Sequence, residues 1–165
     1  MDTMKAAICT KYGAPEVLKI VDVKKPTPKA DEVCIKIYAA GVTASDIFIR
    51  SSNMPLFFLI PMRFMVGITK PRRPILGLVL AGKVESVGEN IKRFKSGDSV
   101  YGLAGFHFGA YAEYVCLKEA DSKAGSIALK PHNISYEEAT VAAYGGLLVF
   151  QFMLKGNIQK DDKNI

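Results

Sequence analysis

Between Met1 and Pro131 the chain reads as a succession of short apolar segments rich in β-branched residues, broken by glycine and proline, and only one stretch among them starts like a helix. The segments are MKAAIC, VLKIVDVKK, EVCIKIYAAGV, GLVLAGKVESVG, SVYG, YAEYVCLK and IALKP. A parallel βαβ sheet needs a helical crossover after each strand, and most of the gaps between these segments are too short to hold one. The pattern predicts a mainly β fold, a partly open barrel of short strands with a few short helices.

After Pro131 the character changes. Ser135 and Glu138 have capping-box spacing, with the serine hydroxyl placed to accept from the Glu138 amide and the glutamate to reach back. Alanines then lead into Gly145-Gly146 and the apolar run LLVFQFMLKG, so two helices are expected after the barrel. This divides the chain into 1–131 and a helical segment, 132–165, whose last nine residues, NIQKDDKNI, are polar.

A chain of 165 residues, 49% hydrophobic, is long enough for one core of its own. Its longest apolar run, PLFFLIPMRFMVGI, is interrupted by Pro61 and Arg63 and is too short to cross a bilayer, so no membrane partner is expected. No leader with a small-residue cleavage site opens the chain, and a soluble cytoplasmic protein is the expectation. Cys9, Cys34 and Cys116 are odd in number and widely spaced, which fits neither a disulfide framework nor a metal clamp. Buried free thiols are the expected reading. The net charge of +6 comes from scattered lysines plus KPRR at 70–73 and KRFK at 92–95. Without a recognisable module that interleaves such groups with aromatics on one face, they read as solvated loops, and no nucleic-acid partner is expected.

The helix start at GVTASDIFIR carries the functional question. Thr43 and Asp46 can cap a short helix, and the same residue types also occur in active sites. Phe48 can stack on a flat ligand or join the core. Arg50 can polarise a carbonyl, meet a phosphate, or sit as a cation at a helix end. The segment from Ser51 to Pro74, rich in Met, Phe and Pro, reads as a long loop that forms a lid or a binding rim or is partly disordered.

In order and in register, MKAAICTKYGAPEVLKIVDV, EVCIKIYAAGVTASD, GLVLAGKVESVGENIKRFKSGDSVYG, GAYAEYV and ISYEEATVAAYGGLLVF resemble the medium-chain dehydrogenase/reductase superfamily. The resemblance implies a GroES-like catalytic domain. In the zinc alcohol dehydrogenases the Thr43 position is a cysteine ligand, the Ser45 position is a hydroxyl that relays the substrate proton, and Gly77-Leu78-Val79 stands where Gly-His-Glu supplies a second ligand. Thr, Leu and Val offer at most one weak oxygen donor, and zinc needs three strong ones around an open position. The structural-zinc cysteines are also missing between Gly102 and Ala112, and His107 and His132 each stand alone. No metal is expected.

These departures point to the zinc-independent, quinone oxidoreductase-like branch. That likeness implies an NADPH-dependent reductase of quinones or α,β-unsaturated carbonyls. It carries catalytic roles to Ser45 and Thr43, substrate contacts to Phe48, Arg50 and Met54, and cofactor contacts to Thr43, Gly146 and Leu148. In that branch the Thr43 position is commonly Asn and the Phe48 position commonly Tyr. No Gly-x-Gly-x-x-Gly turn occurs in the sequence, so the implied Rossmann domain is absent from these residues and a truncated chain, inactive alone, is expected. Two alternatives stay open: a non-catalytic GroES-like domain used for binding or assembly, and an alcohol dehydrogenase-like protein that has lost its zinc site. The helix at 141–154 is apolar almost all round, and self-association through it is expected.

Overall fold

The computed structural model describes residues 2–120 and 125–157, so most of the polar tail lies outside the described residues. Each of the seven expected strands is present: β1 (Thr3–Cys9), β2 (Leu18–Lys24), β3 (Glu32–Gly41), β4 (Val79–Val87), β5 (Ser99–Leu103), β6 (Tyr114–Lys118) and β7 (Ser126–Leu129). The last five form an antiparallel sheet in the order β6-β3-β4-β5-β7, and β1 and β2 form a separate antiparallel pair. Isolated bridges from Ala6 to Ala112 and from Ile8 to Ile75 tie that pair to the sheet. The result is a mainly β, partly open barrel.

The alternation of the strands explains its core. Val33 and Ile35 of β3, Leu80 and Val84 of β4 and Leu117 of β6 point to one face, where all are almost fully buried. Bulges in β3 shift its register against β4 after Cys34 and Ile37. At the second bulge Tyr38 stacks on Tyr136 at 4.9 Å. Gly82 is required where strands cross closely, since a Cβ there would stand 2.1 Å from the Lys36 carbonyl oxygen. Cys34 and Cys116 face each other across β3 and β6, and all three cysteines are buried and free.

Two helices precede β4. The first, α1 (Ala44–Ser51), starts as the sequence predicts. The second, α2 (Leu56–Val66), corrects the reading of 51–74 as a loop. Pro61 misled that reading: a proline inside a helix removes one backbone hydrogen bond and crowds the preceding turn, at a cost of about 3 kcal/mol, but it does not forbid the other turns. Gly67 ends the helix at φ 146°, and a Cβ there would lie 2.0 Å from the Lys70 carbonyl.

The trailing helices also differ from expectation. α3 (Tyr136–Val141) has its capping box, with Ser135 and Glu138 satisfying each other's backbone amides. It does not end at the glycines. A π-helical turn, Ala142–Gly146, carries it without a break into α4 (Leu147–Lys155). α3 packs on β3, β4 and β5, and Ala139 and Thr140 are buried there. No described helix is long and apolar enough to cross a membrane.

Candidate functional site

Thr43 is the N-cap of α1, and its polar atoms are committed to that task. Its backbone amide donates to Asp46 Oδ2 at 2.9 Å and its hydroxyl donates to the same oxygen at 2.6 Å. The Asp46 amide donates back to Thr43 Oγ1 at 3.4 Å. Asp46, which the sequence shows only as half of a cap, is buried. Its Oδ1 and the Tyr111 hydroxyl are both buried without a hydrogen bond. Burial first, and then the nearby Asp46 charge, push the Tyr111 phenol far above its ordinary range, so it stays protonated.

Ser45 lies in the first turn of α1 and meets a group from the far end of the chain. Its Oγ stands 2.9 Å from the Tyr144 hydroxyl, a hydrogen bond in which either oxygen can donate. Tyr144 belongs to the π-helical turn. Such turns recur at functional sites because the extra residue re-aims side chains. Sequence reasoning missed Tyr144; the one signal was the glycine pair that follows it and loosens the helix. Phe48 is three residues beyond Ser45 and so shares its face of α1.

Phe48 and Met54, both implied substrate contacts, come together with Pro55, Phe58 and Met62 around an apolar cleft of about 460 Å³ between α1 and α2. Arg50 is not among those walls. Its guanidinium donates to the Gly13 carbonyl, and the Gly13 amide donates to the Arg50 carbonyl at 3.0 Å, so the side chain pins the β1–β2 connection. This favours the structural reading of Arg50.

Gly146 lines a second groove, about 340 Å³, shared with Tyr101 and Gly102 of β5, Ile127 of β7 and Phe150 of α4. Leu148 is exposed outside it. A dinucleotide pyrophosphate needs free amides at a glycine turn that opens a helix. Gly146 is helical at φ −61°, and the Leu147 amide already donates to carbonyls of the π turn, so these residues build no phosphate cradle. Toward a dinucleotide they can offer apolar contact alone.

At the positions that match the Gly-His-Glu motif of the zinc enzymes, Val79 is fully buried in β4 and the Leu78 carbonyl accepts from the Ala104 amide at 2.7 Å. His107 is half-buried, and desolvation, with the Arg73 charge second, holds its imidazole below the usual range. Among the described residues no three His, Cys, Asp or Glu side chains gather closely enough to hold a metal ion.

Residues 29–124, more than half of the chain, match the model of the alcohol dehydrogenase GroES-like domain. The chain belongs to this family. A quinone oxidoreductase of Sus scrofa is 40% identical over 113 residues, covering 67% of this chain and 30% of the relative. A 2-methylene-furan-3-one reductase of Solanum lycopersicum is 35% identical over 158 residues, covering 87% and 37%. The quinone oxidoreductase structure from Coxiella burnetii superposes with a TM-score of 0.80 at 28% identity, over 98% of this chain and 47% of that one. That of the Escherichia coli quinone oxidoreductase complexed with NADPH gives 0.72 at 27% identity, over 92% and 41%. The chain thus spans less than half the length of each of these proteins and corresponds to their N-terminal portion, within the medium-chain dehydrogenase/reductase group.

Proposed function

We propose that this chain is the N-terminal catalytic portion of a zinc-free, NADPH-dependent oxidoreductase that reduces quinones or α,β-unsaturated carbonyls. The observation that carries the reading is the pairing of Ser45 with Tyr144 at 2.9 Å, one helical turn from the apolar cleft lined by Phe48 and Met54. At the position of the zinc enzymes' cysteine, the Thr43 hydroxyl is held by Asp46, while the hydroxyl at the relay position is paired and half-exposed. The names of the quinone and furanone reductases, and the NADPH in the Escherichia coli structure, support the same chemistry.

When bound, the dinucleotide supplies a hydride, and its phosphates would be held by residues outside this chain. The chain's own part is to seat a flat apolar substrate between Phe48 and Met62 and to present the Ser45–Tyr144 pair, from which a proton can be donated to a developing oxyanion. Residues 132–165 would then lead from the barrel into the nucleotide-binding part. Three buried thiols suit a reducing, cytoplasmic setting.

The test is a longer reductase carrying this sequence, assayed with NADPH and either a benzoquinone or an enone. Ser45→Ala and Tyr144→Phe should each lower kcat by about a hundredfold, the low end for loss of a positioned proton donor, with little change in KM. Unchanged kcat in both variants would reduce Ser45 to a helix-start residue. A longer protein that folds and turns over neither substrate would favour the non-catalytic module, for which the exposed α4 surface speaks.

A further inference from the structure

The helix α2 is apolar on both its covered and its open side. Leu59, Met62, Arg63 and Val66 are its less exposed residues, and Phe57, Ile60, Phe64 and Met65, at the spacing of one helical face, stand in solvent, flanked by the exposed Leu56 and Phe58. Phe57 is 82% exposed and Phe64 63%. The one charged side chain of the helix is held on the inner side: Arg63 stands 3.6 Å over the Tyr12 ring and donates to the Ile68 carbonyl at 2.7 Å, while the Tyr12 hydroxyl donates to the Gly67 carbonyl at 2.6 Å. The outward face is therefore fixed in place by polar contacts behind it.

Charge decides what such a face can meet. From Ile47 to Val84 there is no acidic residue, and there are six basic ones: Arg50, Arg63, Lys70, Arg72, Arg73 and Lys83. Lys70, Arg72 and Arg73 follow the helix directly and are exposed. An apolar face followed at its C-terminal end by the exposed cations of 70–73 matches an anionic lipid surface, in which apolar side chains enter the acyl boundary and cations meet headgroups. A second copy would bring like charges together. The other large apolar surface, on α4, has no charged residue from Val141 to Leu154 and suits a protein surface instead.

We propose that α2 is an interfacial anchor that docks the chain on an anionic membrane surface. At 11 residues it is about 16 Å long and lies in the interface without crossing. The docking stands independently of the reductase reading; resting on that reading, Phe58 and Met62 of the same helix would open the substrate cleft toward a lipid-dissolved quinone.

The test is flotation of the 165-residue chain with phosphatidylcholine vesicles containing about three parts in ten phosphatidylserine, against pure phosphatidylcholine vesicles. The chain should float with the anionic vesicles and not with the neutral ones, and added salt should weaken it. Phe57→Glu with Phe64→Glu, both at exposed sites, should abolish flotation while circular dichroism stays unchanged. Lys70→Ala with Arg72→Ala should weaken vesicle affinity roughly twenty-five-fold, at about fivefold per charge. Phe150→Lys with Phe152→Glu should float like the parent. No flotation, equal binding to neutral vesicles, or indifference to the Phe57 and Phe64 pair would each overturn the proposal. So would loss of self-association by that pair without any flotation, which would make the face a contact between copies.

Discussion

Helices α1 and α4 are nearly equal in length and opposite in how they are held. α1 is anchored by polar chemistry: a capping box at its start, Asp46 buried beneath it, Arg50 tied to Gly13 at its end. α4 has no side-chain cap and no buried residue, and Leu147, Leu148, Phe150, Phe152 and Leu154 all stand in solvent. The polar groups of the first helix are met by its neighbours, whereas the second leaves an apolar surface that the described residues do not cover. Each large side chain left in water forgoes about 1.5–3 kcal/mol of burial, enough in sum to drive association.

The largest expected effect breaks the comparison at α4. The chain should associate on concentration, and Phe150→Lys with Phe152→Glu should leave it monomeric; light scattering over a dilution series reads both. A wild type that stays monomeric at high concentration with α4 ordered would mean that the exposed face needs no partner. Next come two leucines of identical chemistry. Leu80→Ala, at a fully buried site, should cost about 2–5 kcal/mol in urea unfolding. Leu148→Ala should stay within about 0.5 kcal/mol in the monomeric variant.

What the sequence could show follows the range of the interactions. Strands, caps and buried thiols rest on neighbours one to four residues apart, and the alternation around Ile35 and Leu80 and the Thr43–Asp46 spacing display them directly. The Ser45–Tyr144 contact joins residues 99 apart, and nothing local marks it. Helix α2 was hidden because Pro61 is locally a breaker, and its outward apolar face because periodicity shows that a stripe exists without showing which way it points. Arg50 reads from sequence as either a ligand or a structural cation, and only the fold sets Gly13, 37 residues away, beside it.

Smaller effects sharpen the contrast between the two helices. Thr43→Ala should cost about 1 kcal/mol by removing the α1 cap. Gly146→Ala should stabilise by about 0.4–1 kcal/mol, since a Cβ there would meet only Ala142 Cβ at 3.9 Å and the backbone is already helical. His107 gives the smallest effect. Its folded pKa lies below the unfolded value of about 6.5, so its contribution is complete above that pH and is lost as pH falls from there toward the folded pKa. His107→Gln should flatten the fall of the thermal midpoint between about pH 7.5 and 5.5, and an unchanged slope would place that dependence elsewhere.

In the proposed function the site is made of hydroxyls and apolar walls, and Thr43, which caps α1, holds no metal there. Elemental analysis of the purified chain after dialysis against a chelator tests this most directly. The expected result is zinc far below one atom per chain, with the thermal midpoint unchanged by the chelator. One zinc per chain that survives the dialysis would contradict it.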